Sequence, residues 1–361
     1  MPTFPIHSDL ASLSLTQIGG HLSDVSFTLA DGRQIKPMHV APWVDEALAP
    51  DTPPILRMLR GDFFCAPFGS SDLLPDMPLI HGLPANGEWR VTGDLTNRLE
   101  ATLDGDVMGA TVTKHVELRK GERVVYQRHT LTGGSGQIPI GHHAMLRADS
   151  ELKIAFSPWS MALTPPDPVE VPPFGRSLLQ NGQTITDFHK AQRADGGSVD
   201  LTIFPSPEGF ESIWMVVADR RPEFAWTAAT SADGWVWFGL KNPRVLPQTL
   251  VWFSNGGRDY APWNSRHRRV IGLEEICAYF HLGHKASIAE NPVSRTGSPT
   301  TVTLTPDVPV IVSYMFGIAS VPDGFGAVTD IVRAPGGVTL LDAAGHAAFA
   351  ACDPSFVAGV A

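Results

Sequence analysis

The chain is poor in the residues that mark several large protein classes. Of its 361 residues only three are cysteine, Cys65, Cys277 and Cys352. An odd number, wide spacing and no Cys-x-x-Cys pair argue against both a disulfide framework and a zinc site, and fit a reduced, cytoplasmic compartment. Charged residues are only 18% and the formal net charge is −10. A basic face for nucleic acid or for an anionic membrane surface is therefore not expected. No apolar run approaches the roughly 20 residues of a spanning helix. The opening MPTFPIHSDLASLSL has no basic start followed by an apolar core, so no signal peptide is expected there. No Gly-rich phosphate loop or dinucleotide fingerprint stands between a strand and a helix, and no cofactor or metal is expected. Helical periodicity is scarce.

What the chain does have is punctuation, with 34 glycines and 31 prolines. Between them lie short runs with period-2 alternation or β-branched and aromatic enrichment. Asp24–Leu29, Val124–Leu131, Leu152–Phe156, Val199–Phe204, Ser212–Val217, Trp235–Leu240, Thr249–Phe253, Ile271–Phe280 and Pro309–Phe316 are among them. The turns Ala30–Gly32, Ala232–Gly234 and Ala334–Gly337 carry hairpin chemistry. Short helices are expected near Pro54–Leu59 and Asp342–Ala350. The pattern predicts an all-β protein, a sandwich or barrel of large antiparallel sheets with few short helices. The proline-dense Thr164–Pro173 is a surface connection on this reading, within one domain spanning 1–361 with a core of about 20–345.

Val251–Gly283 is the most informative stretch. It holds Trp252 and Trp263, the polar groups Asn255, Arg258 and Asp259, and Glu274 inside an apolar run of strand character. A carboxylate in such a run calls for a partner, because burying an unpaired charge is costly. Aromatic faces, planar donors and one inward acid are the ingredients of a sugar site. Opening a pyranose hemiacetal needs a base for the anomeric hydroxyl proton and an acid for the ring oxygen, here pictured on opposite sides of the ring. A carboxylate suits the first role and a histidinium the second. Loop and strand-end histidines are available at His39, His81, His142 and His143.

Four segments then resemble a known family in its own chain order. HGLPANGEW (81–89) is similar to the "HGF-A-R-N-x-E-W" pattern of aldose 1-epimerases (galactose mutarotases) and hexose-phosphate mutarotases. RGDFFCAPFG (60–69) resembles the latter's "RGG…C-x-P-x-FG", GHHAM (141–145) the segment with the general-acid histidine, and IGLEEIC (271–277) the strand with the general-base glutamate. The resemblance implies a galactose mutarotase-like β-supersandwich that binds a hexose-like sugar, free or phosphorylated, in a cleft on one sheet. Carried over, Glu274 is the base, His143 the acid, His81 a substrate-positioning histidine and Arg60 a hydroxyl or phosphate contact. By position, Asp62, His39, Trp43, His142, Asn255, Arg258, Asp259 and Trp263 are candidate lining residues.

The chain departs from the pattern in places. Ala85 stands where the family has arginine, so one cation is missing. RGD replaces RGG. His142/His143 and Glu274/Glu275 each leave a one-residue choice; alternation puts neighbours on opposite faces, with Glu275 then expected in solvent. Three readings stay open: an anomer-interconverting isomerase, a non-catalytic sugar-binding protein of the same fold, and a polysaccharide lyase or hydrolase. A lyase would use a tyrosine, for which Tyr260 is the candidate, and a hydrolase needs a second carboxylate. His281-Leu282-Gly283-His284 has metal-like spacing but no helix to present it. The sequence leaves the oligomeric state open.

Overall fold

Two large antiparallel sheets dominate the computed structural model, which describes residues 2–73, 79–93 and 95–358. One has seven strands, in the order Trp159–Leu163, Phe210–Ala218, Gln248–Asn255, Val270–Cys277, Ile140–His142, Phe64–Cys65, with Ala144–Arg147 also pairing to Val270–Cys277. The other has nine and is centred on Trp235–Lys241, Val310–Ser320 and Val124–Gly133. A four-stranded sheet from Thr3–His7 to Gln34–Ile35 and a three-stranded sheet from Val328–Ala334 to Ala347–Ala351 flank them. The α-helices among the described residues are only four or five residues long, and no helix among them is long and apolar enough to cross a membrane.

Period-2 alternation builds the layers. In Val270–Cys277, Ile271, Leu273 and Cys277 join the core between the two large sheets, while Val270 and Ile276 join the cluster on the outer face of the seven-stranded sheet. Both faces are covered, so every residue of this strand is buried. A third cluster lies where the outer face of the nine-stranded sheet meets the C-terminal strands, with Phe238, Leu240, Val338 and Leu340 among its members.

The three predicted turns close hairpins, with Phe27 opposite Ile35, Ser231 opposite Trp235 and Ala334 opposite Gly337. Four expectations need correction. The helix over Asp342–Ala350 is instead a turn and a strand, Ala347–Ala351. Asp342 accepts hydrogen bonds from the backbone N–H groups of Gly326, Ala344 and His346, and this side-chain capture of the backbone outcompetes the helix that the alanines favour. Val199–Phe204 is broken into two short strand pieces, because Asp200 accepts from the Thr202 backbone and hydroxyl. The packed core also reaches beyond 20–345, to Ile6, Leu13 and Leu15 at one end and Ala348, Ala350 and Phe356 at the other. Glu275 is not in solvent: it is fully buried between the sheets, paired with Lys241 and accepting from Thr227 and Thr249. All three cysteines are free and buried.

Candidate functional site

The outer face of the seven-stranded sheet carries a cleft of about 470 Å³, within the size range of small-molecule sites. Ile213, Leu250, Trp252 and Glu274, on three adjacent strands, form its floor. Its walls come from the short helix Pro54–Arg57, with Ile55 and Leu56, and from loops carrying Leu59, Phe63, Gly69–Ser71, Ile80, His81, Arg258, Tyr260, Trp263 and His281.

Strand register shows which member of each neighbouring pair faces the cleft. Gly141 lies opposite Ile276 and Ala144 opposite Leu273, so His143 is level with Glu274 and His142 with Glu275. The even-numbered acid and the odd-numbered histidine share the cleft face. The other two point between the sheets. His143 Nε2 lies 3.5 Å from Glu274 Oε1, with both side chains almost wholly buried. From sequence, Glu274 and His143 are pictured on opposite sides of a sugar ring; instead they touch. That separation suits the chemistry, because the anomeric oxygen and the ring oxygen are bonded to the same carbon and present themselves along one edge of the ring. Gly272, facing the cleft two residues before Glu274, makes the room: a Cβ there would lie 2.5 Å from Glu274 Oε1.

Burial pushes the Glu274 carboxyl well above the usual carboxylate range, an effect the Asp62 carboxylate adds to and Arg258 opposes. Burial likewise lowers His143 to about 3. Both shifts favour an uncharged pair holding one proton, on the carboxyl. The His143 ring stacks on Phe63 at 4.6 Å and meets His81 edge-on at 4.9 Å, and its backbone N–H donates to the Phe63 carbonyl. His81 accepts from the Gly69 N–H through Nδ1, which leaves its Nε2–H as a donor. His81 is lowered well below the usual range, first by burial and then by His143 and His281.

Arg258 lies 4.4 Å over the Trp263 ring and 5.1 Å over Trp252, cation–π distances. It is the only arginine or lysine lining the cleft among the described residues, and it supplies from the 255–268 loop a cation that Ala85 cannot. Ala85 itself is buried, its carbonyl facing His21 Nε2 at 3.1 Å. His281 also lines the cleft, held near 4 by burial. In the sequence, its spacing to His284 points to metal binding and not to a cleft wall. His284 is turned away to the Gln137 carbonyl, and among the described residues no group of three or more potential ligands could hold a metal ion.

Of the residues proposed from sequence, the cleft gathers Glu274, His143, His81, Arg258 and Trp263. The others are corrections. Asp62 and His142 are fully buried between the sheets, 3.1 Å apart, with Gln127 also donating to Asp62; alternation turns them inward. Trp43 is fully buried behind the cleft, donating to the Leu56 carbonyl and meeting Trp263 edge-on at 4.8 Å. His39 packs against His267 and borders a separate recess. Arg60 is turned back on its own loop, donating to the Met58 carbonyl. Asn255 is consumed by the Ser206 carbonyl and the Arg269 N–H, and Asp259 by a two-pronged ion pair with Arg176. Asn255 and Asp259 are thus satisfied by residues outside their own loop, and Arg60 by a carbonyl of its own.

No protein-family model matches the chain, and no curated protein matches it in sequence. Solved structures do match in fold. A candidate aldose 1-epimerase of Escherichia coli K12 superposes with a TM-score of 0.58 at 12% identity, over 88% of this chain and 99% of the other. A galactose mutarotase-like protein of Lactobacillus casei gives 0.55 at 13%, over 88% and 100%. A galactose mutarotase related enzyme of Lactobacillus acidophilus gives 0.54 at 9%, over 89% and 99%. The large antiparallel sheets of this chain therefore form the galactose mutarotase-like sandwich.

Proposed function

We propose that the protein is an isomerase that interconverts the anomers of an aldose in this cleft. The observation that carries the proposal is the His143–Glu274 contact at 3.5 Å on the cleft floor, beside an aromatic wall. The proton first passes from the Glu274 carboxyl to His143; ring opening then transfers the anomeric hydroxyl proton to the Glu274 carboxylate while the His143 imidazolium protonates the ring oxygen, and the C1–O5 bond breaks. The open-chain aldehyde then faces a protonated carboxyl and a neutral imidazole, the pairing that burial favours. Rotation about C1–C2 presents the other face of the carbonyl. Closure runs the same transfers backwards and restores the pair. No proton need be exchanged with solvent in the cycle. His81 is positioned to donate to a sugar hydroxyl, and Trp252 and Trp263, with Arg258 over their rings, form the aromatic wall.

The competing readings find less support. Glu274 is the only carboxylate among the described lining residues, whereas hydrolysis of the usual kind needs two. Tyr260 lines the cleft, but its hydroxyl donates to Glu170, and its pKa is pushed up to about 12, chiefly by burial; it is a poor base for a lyase. Two-dimensional exchange NMR of anomeric protons over a panel of aldoses tests the proposal. Exchange well above the buffer rate supports it. Sugar binding with exchange at the buffer rate would make the protein a sugar-binding module, and cleavage of oligosaccharides would replace both readings.

A further inference from the structure

The cleft's cation is already engaged. Arg258 Nε donates to Glu170 Oε1 at 2.6 Å, and the same oxygen accepts from the Tyr260 hydroxyl at 3.1 Å. The side chains of Arg258 and Glu170 are only 16% and 10% exposed. A second carboxylate, Glu211, lies 4.0 Å from the same Nε, held by the Trp252 indole N–H, the Ser254 hydroxyl and the Gly257 N–H. Glu170 arrives from the proline-dense Thr164–Pro173 segment. Its backbone is fixed there by a reciprocal pair of hydrogen bonds with the Ser177 hydroxyl.

We infer that Glu170 is the residue that sets charge selectivity in the cleft, occupying Arg258 so that uncharged sugars are taken and sugars bearing a phosphate or carboxylate are refused. The inference rests on the sugar-cleft reading above and adds the substrate class to it. A phosphate needs donors whose positive charge is uncompensated. Here one guanidinium faces two carboxylates, and an incoming anion meets their repulsion. The other basic groups on the walls, His81, His143 and His281, are kept neutral by burial. Hydroxyl groups meet no such penalty. Only Nε of Arg258 is engaged by a hydrogen bond among the described residues, which leaves the terminal nitrogens to donate to a neutral sugar. Glu170 thus acts through Arg258 as a positioning residue, with a charge preference as its signature.

Isothermal titration of the wild type and Glu170→Gln with glucose, galactose, glucose 6-phosphate and glucuronate tests this. The wild type is expected to bind a neutral hexose more tightly than either anion. Glu170→Gln keeps a hydrogen-bond acceptor for Arg258 but frees its charge. It should shift the anion-to-neutral affinity ratio by about tenfold towards the anions, roughly the strength of one charge-assisted hydrogen bond. Wild-type binding of glucose 6-phosphate or glucuronate at least as tight as of the hexoses overturns the inference, needs no variant, and leaves the sugar cleft standing. An equal change for all four ligands in Glu170→Gln also overturns it, because a merely structural carboxylate would not move the ratio. Absence of binding by any of the four would strike at the sugar-cleft reading itself.

Discussion

Replacing Glu274 by glutamine removes the proposed base at almost constant shape. The side chain occupies space left open by Gly272, beside His143 and against Trp252, and the amide fits the same volume. A positioned proton transfer contributes roughly 10²–10⁴ in rate, so anomer exchange in Glu274→Gln should fall by that factor, about 3–5 kcal/mol of barrier. Stability should move the other way. In the unfolded chain the carboxyl ionises near its ordinary value of 4.5, whereas burial holds it protonated in the fold to a higher pH. Between those two values unfolding releases a proton, so the wild type loses stability as pH rises through that window. Glutamine has nothing to release. The variant should match the wild type below the ordinary carboxylate value and exceed it increasingly across the window. Exchange NMR reads the first effect, and thermal melts at a series of pH values read the second. Exchange at the wild-type rate would remove Glu274 from the reaction. A stability difference that did not grow with pH would show that the carboxyl is already ionised in the fold, and the uncharged-pair account would fail.

Further outcomes follow from the same geometry. The pair works with one proton, and how that proton divides between the two groups does not depend on pH. Activity is therefore lost only when His143 gains a second proton, towards about 3, or when Glu274 loses the first, above the usual carboxylate range; a pH–rate profile with its acid limb at the ordinary histidine value of 6.5 would contradict this. Gly272→Ala places a Cβ 2.5 Å from Glu274 Oε1 and 3.2 Å from the Trp252 Cβ. The carboxylate is the softer neighbour and should shift, so the variant should fold yet lose exchange activity, and wild-type exchange in a folded Gly272→Ala would show that the carboxylate's placement is not critical. Lys241→Met leaves Glu275 buried without its cation, which should cost about 3–5 kcal/mol in urea unfolding; a loss under 1 kcal/mol would mean that the ion pair is not what stabilises this part of the core.

Much of the fold was legible because strands state themselves locally. Leu152–Phe156 has the predicted bounds, and the Ala-Asp-Gly turns close the expected hairpins. The alanine-rich tail misled because helix propensity is a weak prior against a side chain such as Asp342, which captures three backbone N–H groups. Ala110–Leu118 was overlooked, although its sequence ATVTKHVEL alternates and its burial does too. In the site, strand residues were more legible than loop residues. Glu274 and His143 are singled out by the family resemblance of IGLEEIC and GHHAM, and both line the cleft. Asn255 and Asp259 could not be placed from sequence, because the choice between facing a ligand and turning away is made by partners distant in sequence, such as Ser206 and Arg176. Glu170 belongs to the same class: nothing near it in sequence announces that it meets Arg258, 88 positions on.

Two consecutive glutamates on one strand show what distinguishes a structural acid from a reactive one. Glu274 and Glu275 are both buried, since this central strand is covered on both faces. Alternation sends Glu275 between the sheets, where the nine-stranded sheet answers it with Lys241 and Thr227, and Thr249 on the adjacent strand completes its shell. Its charge is matched and its hydrogen bonds are made. Glu274 faces the other way and meets a single titratable partner, an imidazole that burial keeps uncharged. The only guanidinium lining the cleft among the described residues is held by Glu170 instead. Evolution of a purely structural site would favour the first arrangement, because an uncompensated buried carboxyl carries a standing cost that a lysine or an apolar residue would remove. A cost retained at the floor of an open cleft, next to a group able to exchange the same proton, is what the proposed chemistry at Glu274 accounts for and a structural role does not.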